Sequence, residues 1–390
     1  MASLLKWARA ATRRAPSPPL RFPVTGFDVI PDSELIDEEK FEGFKRGLYY
    51  PVRIGDVFAS KYQVMGKLGY GVTSTVWLAR DLQTALEMFK IPRPGGEHAC
   101  LVQKPMWGSL RSLTQLIPVG LFSEEVLRGA LHQLFLAVDY LHTECNLVHT
   151  GMGSILTSNL PIDMATVLIT CDLDIKPDNI LSQIADTSIL DAFVAAEMKH
   201  PSARKSVKGV TVYATRQLGI PRHFGHSVLG DFGFAVRGDV KRNHNACPEF
   251  YRPPEVMVKA AWSYPVDMWT IGTTIWDLFE GRHLFHGQDP DGKGYSTRAH
   301  LAEVIGLIGS PPLDLIQKGA RSLEFFDSEG KWIAEIPTAE PTSLEIFETR
   351  LEGENKEMFL QMMRGMLIWR PEDRKTAKQM LDEPWMKIKG

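Results

Sequence analysis

The chain has 390 residues, of which 44% are hydrophobic and 23% are charged, and its formal net charge at pH 7 is −3. A chain of this length and apolar content can bury a full core. No segment is long and apolar enough to span a membrane. The four cysteines, at positions 100, 145, 171 and 247, lack the spacing of a metal site or a disulfide framework. Composition therefore excludes a disulfide scaffold and indicates an intracellular, reducing compartment.

The N-terminal segment, residues 1–27, differs in charge from the rest of the chain. It holds five basic residues and no acidic residue, which leaves 39 basic against 47 acidic residues in the remainder. An acidic body of this kind suits basic substrates. The first fourteen residues fit a basic amphipathic helix, with Leu4, Leu5 and Ala8 opposite Lys6 and Arg9. This pattern is typical of a mitochondrial presequence, and a disordered basic tail is the alternative.

The first predicted structural motif is a strand, a glycine-rich turn and a second strand between Lys67 and Leu78. Such a turn can bring backbone N–H groups close to phosphates, although Ser74 replaces the third glycine of the usual pattern. The apolar residues that flank the turn would then cover an adenine, and the alternative is an ordinary hairpin with a core-facing apolar side. The candidate nucleotide-binding residues in this motif are Leu68, Gly69, Tyr70, Gly71 and Val76.

A long buried helix is predicted between Ser123 and His142. Ser123 stands at the N-cap position, and two glutamates occupy the first turn, where negative charge stabilises a helix. The apolar residues at helical spacing are Leu127, Leu131, Leu134, Val138 and Leu141. Further helices are predicted from Ile189 to Lys199, before a turn rich in proline, serine and lysine, and from Tyr295 to Gly309.

Two motifs downstream of the long helix carry the strongest chemical signal. The first is Asp-Ile-Lys-Pro-Asp-Asn at 174–179, and the second is Asp-Phe-Gly at 231–233. Phosphoryl transfer needs an acidic group to orient the attacking hydroxyl, a cation on the transferred phosphoryl group and oxygen ligands for Mg²⁺. The order and spacing of the two motifs predict that chemistry. The alternative, that Asp174 and Asp231 only solvate loops, leaves the combination unexplained.

With these motifs the chain resembles the SR-protein kinases, serine/threonine kinases that phosphorylate Arg/Ser-rich splicing factors. The resemblance rests on Tyr-Pro-Val-Arg-Ile-Gly-Asp-Val at 50–57, on the glycine-rich motif, and on Val-His-Thr at 148–150 joined to the motif at 174–179. It covers residues 48–387. It implies a two-lobed kinase that uses ATP and Mg²⁺. In such a kinase Asp174 would be the base, Lys176 would contact the γ-phosphate, and Asn179 and Asp231 would bind the metal.

The segment after the Asp-Phe-Gly motif has no Ser or Thr between Gly233 and Pro254. Many kinases order this activation segment through a phosphate that pairs with an arginine directly before the catalytic aspartate, and Thr150 takes the place of that arginine here. We therefore expect packing and the segment's own charges, rather than Ser/Thr phosphorylation, to hold it. The motifs at 253–255 and 369–374 further predict a structural ion pair between Glu255 and Arg374.

One departure from the family pattern lies between Asp81 and Cys100. A kinase N-lobe uses roughly sixty residues there for a strand with a phosphate-anchoring lysine and a helix with the glutamate partner of that lysine. Both residues are missing from this short window. Residues 86–102 resemble a later strand, turn and strand of the family. Lys90 is therefore a candidate substitute for the lysine, although a solvated strand residue is the preferred interpretation.

A second departure is the insert at 151–173, which separates Thr150 from Asp174 and contains no basic residue. An insert this apolar is an aggregation liability when it is exposed, and it displaces the scaffold when it is buried. The genetic code permits GT at the Gly151 codon and AG across the junction of Leu173 and Asp174. One hypothesis is therefore an unspliced intron, and the competing hypothesis is a lineage-specific loop in a degenerate kinase.

The predicted fold is α+β, a two-lobed protein-kinase fold. It comprises an extension at 1–47 and a kinase domain at 48–387, with a small, truncated β-rich N-lobe at 58–105 and a larger helical C-lobe at 106–387. The predicted function is serine/threonine phosphorylation of protein substrates, and the alternative is an impaired pseudokinase that acts as a scaffold. We expect ATP and Mg²⁺ as cofactors, Arg/Ser-rich proteins as partners, and no direct contact with nucleic acid or membrane. The chain is expected to be a monomer in the cytoplasm or nucleus, or in mitochondria if the leader is a presequence.

Overall fold

The computed structural model describes residues 18–71, 74–82, 88–93, 96–149, 175–232 and 235–388. The predicted presequence, the insert at 151–173 and the predicted base Asp174 lie outside the described residues. The described chain divides into two compact units. The first comprises the described parts of Met1–Trp107 and Ile184–Phe224, and the second comprises those of Gly108–Asn159, Asp172–Gln183 and Gly225–Gly390.

The bounds of the regular elements are as follows. The strands are β1 Val57–Phe58, β2 Tyr62–Tyr70, β3 Thr75–Asp81, β4 Met88–Arg93, β5 Gly96–Leu101, β6 Met106–Ser109, β7 Leu147–Val148, β8 Ile180–Ile184, β9 Arg204–Val207, β10 Val210–Tyr213, β11 Phe224–Leu229 and β12 Val236–Arg237. The α-helices are α1 Glu42–Lys45, α2 Leu110–Thr114, α3 Glu124–Thr143, α4 Ser188–Lys199, α5 Pro254–Met257, α6 Pro265–Glu280, α7 Thr297–Ile308, α8 Leu313–Lys318, α9 Leu344–Phe347, α10 Gly353–Arg364 and α11 Ala377–Met380. Short 3-10 helices span Asp37–Lys40, Glu249–Tyr251, Ser322–Glu324, Pro371–Asp373 and Pro384–Lys387.

The first unit is built on an antiparallel sheet in the order β1-β2-β3. Two register shifts interrupt the pairing of β2 with β3, one between Val64 and Gly66 and one between Lys67 and Gly69. The Gly71 N–H donates to the Ser74 carbonyl oxygen at 2.8 Å and closes the glycine-rich turn. The predicted strand, turn and strand are thus confirmed.

A separate antiparallel hairpin of β4 and β5 also belongs to the first unit. The Phe89 ring of β4 stacks on the Tyr62 ring of β2, with centroids 5.8 Å apart. Stacking of this kind adds to the area burial of two aromatic side chains and attaches the hairpin to the larger sheet. The two strands expected within residues 86–102 are confirmed as β4 and β5, and the turn expected at residues 94–95 lies outside the described residues.

Helix α4 packs on the β1-β2-β3 sheet through Phe193, which is buried with Met65 and Leu78. The contact depends on the absence of a side chain at Gly66. A Cβ added at Gly66 would lie 2.5 Å from Cε1 of Phe193. Residues 184–224, which follow the first catalytic motif in the sequence, therefore belong to the same compact unit as the glycine-rich strand.

We expect the substitution Gly66→Ala to destabilise the protein by about 1–3 kcal/mol, because the new methyl group forces Phe193 or helix α4 to move. Thermal unfolding followed by circular dichroism measures the loss. Gly69→Ala is the matched control in the same strand, because a Cβ added at Gly69 meets no atom within 4 Å. Equal losses in the two variants would contradict a specific contact between Gly66 and Phe193.

Strands β9 and β10 form in the region after α4, where the sequence pattern predicts only a turn, and that prediction is wrong. They form an antiparallel hairpin from the pair Arg204 and Tyr213 to the pair Val207 and Val210. The two residues between the strands, Lys208 and Gly209, both have positive φ, at 51° and 83°. Positive φ at both central positions is the geometry of a tight two-residue hairpin turn.

A buried ion network ties the N-terminal segment to this hairpin and to strand β2. The Lys67 side chain has no exposed surface, and its ammonium group lies 2.9 Å from Asp37 Oδ2 and in contact with the Glu38 carboxylate. It also donates to the Tyr213 carbonyl oxygen at 2.9 Å. Nearby, the Lys205 ammonium group lies 2.9 Å from Glu39 Oε2, with both side chains buried. Paired and hydrogen-bonded charges of this kind are the form in which ions tolerate burial.

The second unit has its core around helices α3 and α6. Helix α3 begins as predicted, because Ser123 Oγ accepts a hydrogen bond from the Val126 N–H at 3.4 Å. Helix α6 is buried from Val266 to Phe279. Two of its hydroxyl groups, those of Thr270 and Thr273, are satisfied within the helix, as when Thr270 Oγ1 donates to the Val266 carbonyl oxygen at 3.0 Å. The predicted helices at 189–199 and 295–309 are confirmed as α4 and α7.

Two small sheets accompany these helices. One has the strand order β11-β8-β6, and the other pairs β12 with β7. Among the described residues, no helix has the length and apolar character needed to cross a membrane.

Candidate active site

The described part of the first catalytic motif begins at Ile175 and is fixed by main-chain contacts within the second unit. The buried Ile175 accepts a hydrogen bond on its carbonyl oxygen from Thr274 Oγ1 of α6 at 2.6 Å. The Pro177 carbonyl oxygen accepts from the Arg111 N–H of α2 at 3.2 Å. The Asn179 N–H donates to the Lys176 carbonyl oxygen at 2.9 Å, which makes the loop turn tightly. The loop is therefore positioned by two helices and by its own backbone.

The two predicted metal residues lie at one edge of a sheet. Asn179 directly precedes β8, and Asp231 follows β11, which is the neighbour of β8 in the sheet. The Gly230 N–H donates to the Asn179 carbonyl oxygen at 2.9 Å, so the two chain segments are hydrogen-bonded next to the side chains in question. An amide oxygen and a carboxylate are hard oxygen donors, and Mg²⁺ is commonly held by one or two carboxylates together with substrate phosphates. The donor set at this edge therefore fits Mg²⁺.

Asp231 adopts a left-handed backbone conformation with φ of 61°. This region is uncommon for residues other than glycine, although Asp and Asn enter it more readily than most. Such conformations cost energy and persist where the surrounding structure fixes them. An asparagine at this position can keep the backbone geometry while it removes the negative charge.

His149 is a positioning residue, a role that the Val-His-Thr motif does not by itself predict. Its side chain is buried, and its backbone N–H donates to Asp267 Oδ2 at 2.9 Å. The ring atom Nε2 lies 2.9 Å from the Gly230 carbonyl oxygen. Burial lowers the pKa of the imidazole, although Asp267, the contact with Gly230 and Asp231 act in the opposite direction. Because a carbonyl oxygen can only accept, a neutral imidazole must carry its proton on Nε2.

The His149 ring also touches the second motif, since its centroid lies 5.0 Å from that of Phe232 in an edge-on arrangement. His149 thus contacts both neighbours of Asp231 in the chain, Gly230 and Phe232. Asp267, at the start of α6, in turn lies 2.9 Å from Nε2 of His142 at the end of α3. The position of Asp231 therefore depends on two long helices through one buried imidazole.

The predicted ion pair between Glu255 and Arg374 is confirmed. Two guanidinium nitrogens each donate to one carboxylate oxygen at 2.7 Å, and neither side chain has exposed surface. Arg374 also donates to the carbonyl oxygens of Pro265 and Ile368 at 3.0 and 2.9 Å. Its guanidinium group lies over the Trp269 ring, 5.1 Å from the centroid. The pair fixes the end of the activation segment against the start of α6.

The hydroxyl of Tyr251 is buried rather than presented to solvent. It donates to Asp277 Oδ2 at 2.5 Å. Burial, reinforced by Asp277, raises the pKa of the Tyr251 hydroxyl. The activation segment is held further by a reciprocal backbone bridge between Arg242 and Trp262 at 3.1 and 2.7 Å, whereas Arg237 and Asp239 pair on its exposed surface. Packing and the segment's own charges thus hold it, as expected.

The predicted nucleotide-binding residues lie in the first unit. Gly69 and Tyr70 end β2, and Gly71 belongs to the turn. Val76 of β3 is half-exposed, whereas Leu68 packs against the buried cluster around Phe193.

Lys90 lies on β4 with its ammonium group 3.3 Å from Glu97 Oε2 of the adjacent strand, and both side chains are largely exposed. This is the arrangement expected of a solvated strand residue. The structure therefore brings Lys176, Asn179 and Asp231 together within one unit, and it places the glycine-rich residues and Lys90 in the other.

The β-rich first part, the helical second part and the paired motifs define a protein kinase domain, and a family model for the protein kinase domain matches residues 222–386. A serine/threonine protein kinase of Aspergillus fumigatus is 36% identical over 422 residues, covering 96% of each chain. The serine/threonine-protein kinase SRPK of Physarum polycephalum is 27% identical over 90% of this chain and 91% of its own length. Protein kinase dsk1 of Schizosaccharomyces pombe is 22% identical over 90% and 85%.

The chain therefore belongs to the serine/threonine protein kinases, and its relatives include SR-protein kinases, as the sequence resemblance implied. Protein kinases in general use ATP with Mg²⁺ and act on protein substrates.

Proposed function

We propose that this chain binds Mg²⁺ and ATP and transfers the γ-phosphoryl group to Ser or Thr of protein substrates, with Asn179 and Asp231 as the metal ligands. The observation that carries the proposal is the hydrogen bond of 2.9 Å between the Gly230 N–H and the Asn179 carbonyl oxygen. It holds the two ligand-bearing segments side by side. The His149 ring is hydrogen-bonded to the Gly230 carbonyl oxygen and so fixes the segment that carries Asp231. In the same proposal, Lys176 contacts the γ-phosphate and Asp174 orients the attacking hydroxyl.

The glycine-rich turn would supply backbone N–H groups to the phosphates of the nucleotide. The lysine and glutamate that most kinases use for this purpose are missing from the window between Asp81 and Cys100. Lys90 is engaged with Glu97 on the strand surface. Neutralisation of the phosphates in this chain would therefore depend on Mg²⁺ and Lys176.

For the substrate, we propose a basic, Arg/Ser-rich protein, and we propose that the kinase acts as a monomer. Two observations support a basic substrate. One relative carries the name SRPK, and the residues after the leader carry an excess of acidic over basic groups. An acidic surface raises the local concentration of a cationic peptide and its association rate.

Replacement of Asp231 by asparagine is expected to reduce phosphoryl transfer to an Arg/Ser peptide by at least about a hundredfold, because it removes the negative charge that holds Mg²⁺. The measurement is incorporation of labelled phosphate from ATP, with thermal unfolding as a check on folding. Asp239→Asn is the matched control in the same segment, since Asp239 is an exposed partner of Arg237. Transfer that survives in Asp231→Asn but falls in the control would contradict the assignment.

A non-catalytic scaffold is the second candidate function. The shortened region between Asp81 and Cys100 and the exposed ion pair of Lys90 with Glu97 favour it, because no phosphate-anchoring lysine is supplied by that hairpin. Binding of a fluorescent ATP analogue with and without Mg²⁺ separates the two functions. Binding that requires Mg²⁺ but leads to no transfer supports the scaffold, and transfer that requires Asp231 supports the kinase.

A further inference from the structure

A groove on the activation segment collects positive charge that the proposed chemistry does not use. Its volume is about 430 Å³, and its lining includes Lys241, Arg242, Lys259 and Lys318. No acidic residue is among the nine that line it. A volume of this size is at the scale of ligand pockets in proteins.

The structure holds these cations in place through the backbone. Arg242 is bridged to Trp262 by hydrogen bonds in both directions, at 3.1 and 2.7 Å, and Trp262 is buried. Lys259 has a left-handed backbone with φ of 60°, and its carbonyl oxygen accepts from the Ala320 N–H at 3.4 Å. The walls of the groove are therefore adjoining chain segments with fixed hydrogen bonds rather than free side chains alone.

Three of the four cations have no carboxylate partner within the described residues. Lys241 makes no ion pair there, the Arg242 guanidinium group donates to the carbonyl oxygens of Arg237 and Val240, and the Lys259 ammonium group donates to the Asn245 amide oxygen. Lys318 differs, because its ammonium group pairs with Asp314 at 3.2 Å and approaches Glu372 at 3.8 Å.

Burial and nearby positive charges act on Lys259 of the groove and on the neighbouring His244. Burial, with added repulsion from Arg321 and Arg252, lowers the pKa of the Lys259 ammonium group. Burial lowers the pKa of His244 as well, and Arg242 and Lys259 contribute in the same direction. Burial lowers the pKa of Arg242, although the nearby carboxylate of Asp239, which pairs with Arg237, acts on Arg242 in the opposite direction. Like charges held together without a counter-ion destabilise a fold, and a bound anion removes that cost.

We propose that this groove binds a phosphate monoester, namely a phosphorylated serine or threonine of a peptide substrate. A phosphate monoester carries a charge of about −1.5 to −2 at neutral pH and has three acceptor oxygens, which suits three unpaired cations better than a single carboxylate does. A nucleic acid is the less suitable ligand, because none of the nine lining residues is aromatic and single-stranded bases are held largely by stacking. The inference rests on the proposed kinase function for the source of the ligand, since it gives the kinase a preference for substrates that are already phosphorylated.

The test uses the full chain without ATP and measures fluorescence anisotropy of a labelled glycine-alanine peptide with one phosphoserine, against the same peptide with serine. We expect the phosphopeptide to bind at least about tenfold more tightly, and inorganic phosphate to compete with it. The triple variant Lys241→Gln, Arg242→Gln, Lys259→Gln is expected to abolish this difference. Equal binding of the two peptides, or an unchanged difference in the triple variant, would overturn the proposal.

Two single variants sharpen the result and guard against misfolding of the triple variant. Lys241→Glu changes an exposed side chain and should weaken phosphopeptide binding by about tenfold or more, because it introduces repulsion as well as removing a donor. Lys318→Gln should have a smaller effect, because Lys318 already has carboxylate partners. Lys293→Gln, at an exposed lysine paired with Asp291, is the control outside the groove. A larger loss in Lys318→Gln than in Lys241→Glu would contradict the charge argument.

Two further measurements identify the ligand of the groove and distinguish a failure of the groove assignment from a failure of the proposed kinase function. A labelled oligouridine that binds the groove more tightly than the phosphopeptide, and loses binding in the triple variant, would assign the groove to RNA instead. Phosphoryl transfer is measured separately with an unphosphorylated peptide library. Phosphopeptide binding without transfer would contradict the proposed function and leave the groove assigned, whereas transfer without phosphopeptide binding would contradict the groove alone.

Discussion

Replacement of Lys67 by methionine is expected to lower the free energy of unfolding by about 3–5 kcal/mol, because it leaves a buried carboxylate without its cation. The ammonium group of Lys67 is the counter-ion of Glu38, which is buried, and lies 2.9 Å from Asp37 Oδ2. It also satisfies the Tyr213 carbonyl oxygen. Methionine preserves much of the side-chain volume but offers none of these three partners a donor. Urea unfolding followed by tryptophan fluorescence measures the change.

The control is Lys45→Met, because Lys45 pairs with Glu42 at 3.4 Å on the exposed surface. Exposed ion pairs contribute little to stability, so this variant should unfold close to the parent protein. The double variant Lys67→Met, Glu38→Gln should recover part of the loss, since it removes the buried charge along with its partner. A Lys67→Met protein as stable as the Lys45→Met protein would show that the network contributes nothing to stability.

Sequence patterns predict best the elements whose formation depends on residues close together in the chain or on a recognisable family motif. Helix α3 combines a capping serine, acidic residues in its first turn and apolar residues at helical spacing, and it forms from Glu124 to Thr143. The glycine-rich hairpin and the ion pair of Glu255 with Arg374 follow from motifs whose order along the chain is informative. In each case, the signal lies within a short stretch or within a recognisable family pattern.

The hairpin of β9 and β10 has a local signal in the sequence, although the lysines of the same stretch favour a polar turn. Val207, Val210 and Val212 are β-branched, and they flank Lys208-Gly209, whose glycine suits a tight two-residue turn. The proline, serine and lysine of this stretch favour a polar turn instead. A β-branched pattern on both sides of a glycine-containing dipeptide would have predicted the hairpin.

The buried contacts between distant parts of the chain could not be predicted from local patterns. Lys67 is separated by 29 residues from Glu38 and by 146 residues from Tyr213. His149 meets the Gly230 carbonyl oxygen across 81 residues. No periodicity or spacing encodes such pairings, because they depend on how the elements pack. The sequence suggests which residues are chemically capable, and packing decides which of them meet.

The substitution Arg374→Met is expected to destabilise the protein by about 3–5 kcal/mol, since it leaves the fully buried Glu255 carboxylate unpaired. The carbonyl oxygens of Pro265 and Ile368 also lose a donor. Arg374→Lys should recover only part of the loss, because an ammonium group cannot form the two parallel hydrogen bonds of a guanidinium group. Chemical unfolding of the purified variants gives these differences directly.

Arg370 provides a matched control four residues earlier in the chain. Its guanidinium group pairs with Asp314, but both side chains are substantially exposed, so Arg370→Met should leave the unfolding midpoint nearly unchanged. The double variant Arg374→Met, Glu255→Leu removes both charges. Its free energy of unfolding separates the destabilisation caused by an unpaired buried carboxylate from the net stability that the ion pair contributes. If it restores most of the stability, the pair serves mainly to fix the activation segment against α6, and phosphoryl transfer should fall although the fold is stable. If it restores neither stability nor transfer, the hydrogen bonds that Arg374 makes to the carbonyl oxygens of Pro265 and Ile368 stabilise this part of the domain more than the ion pair does.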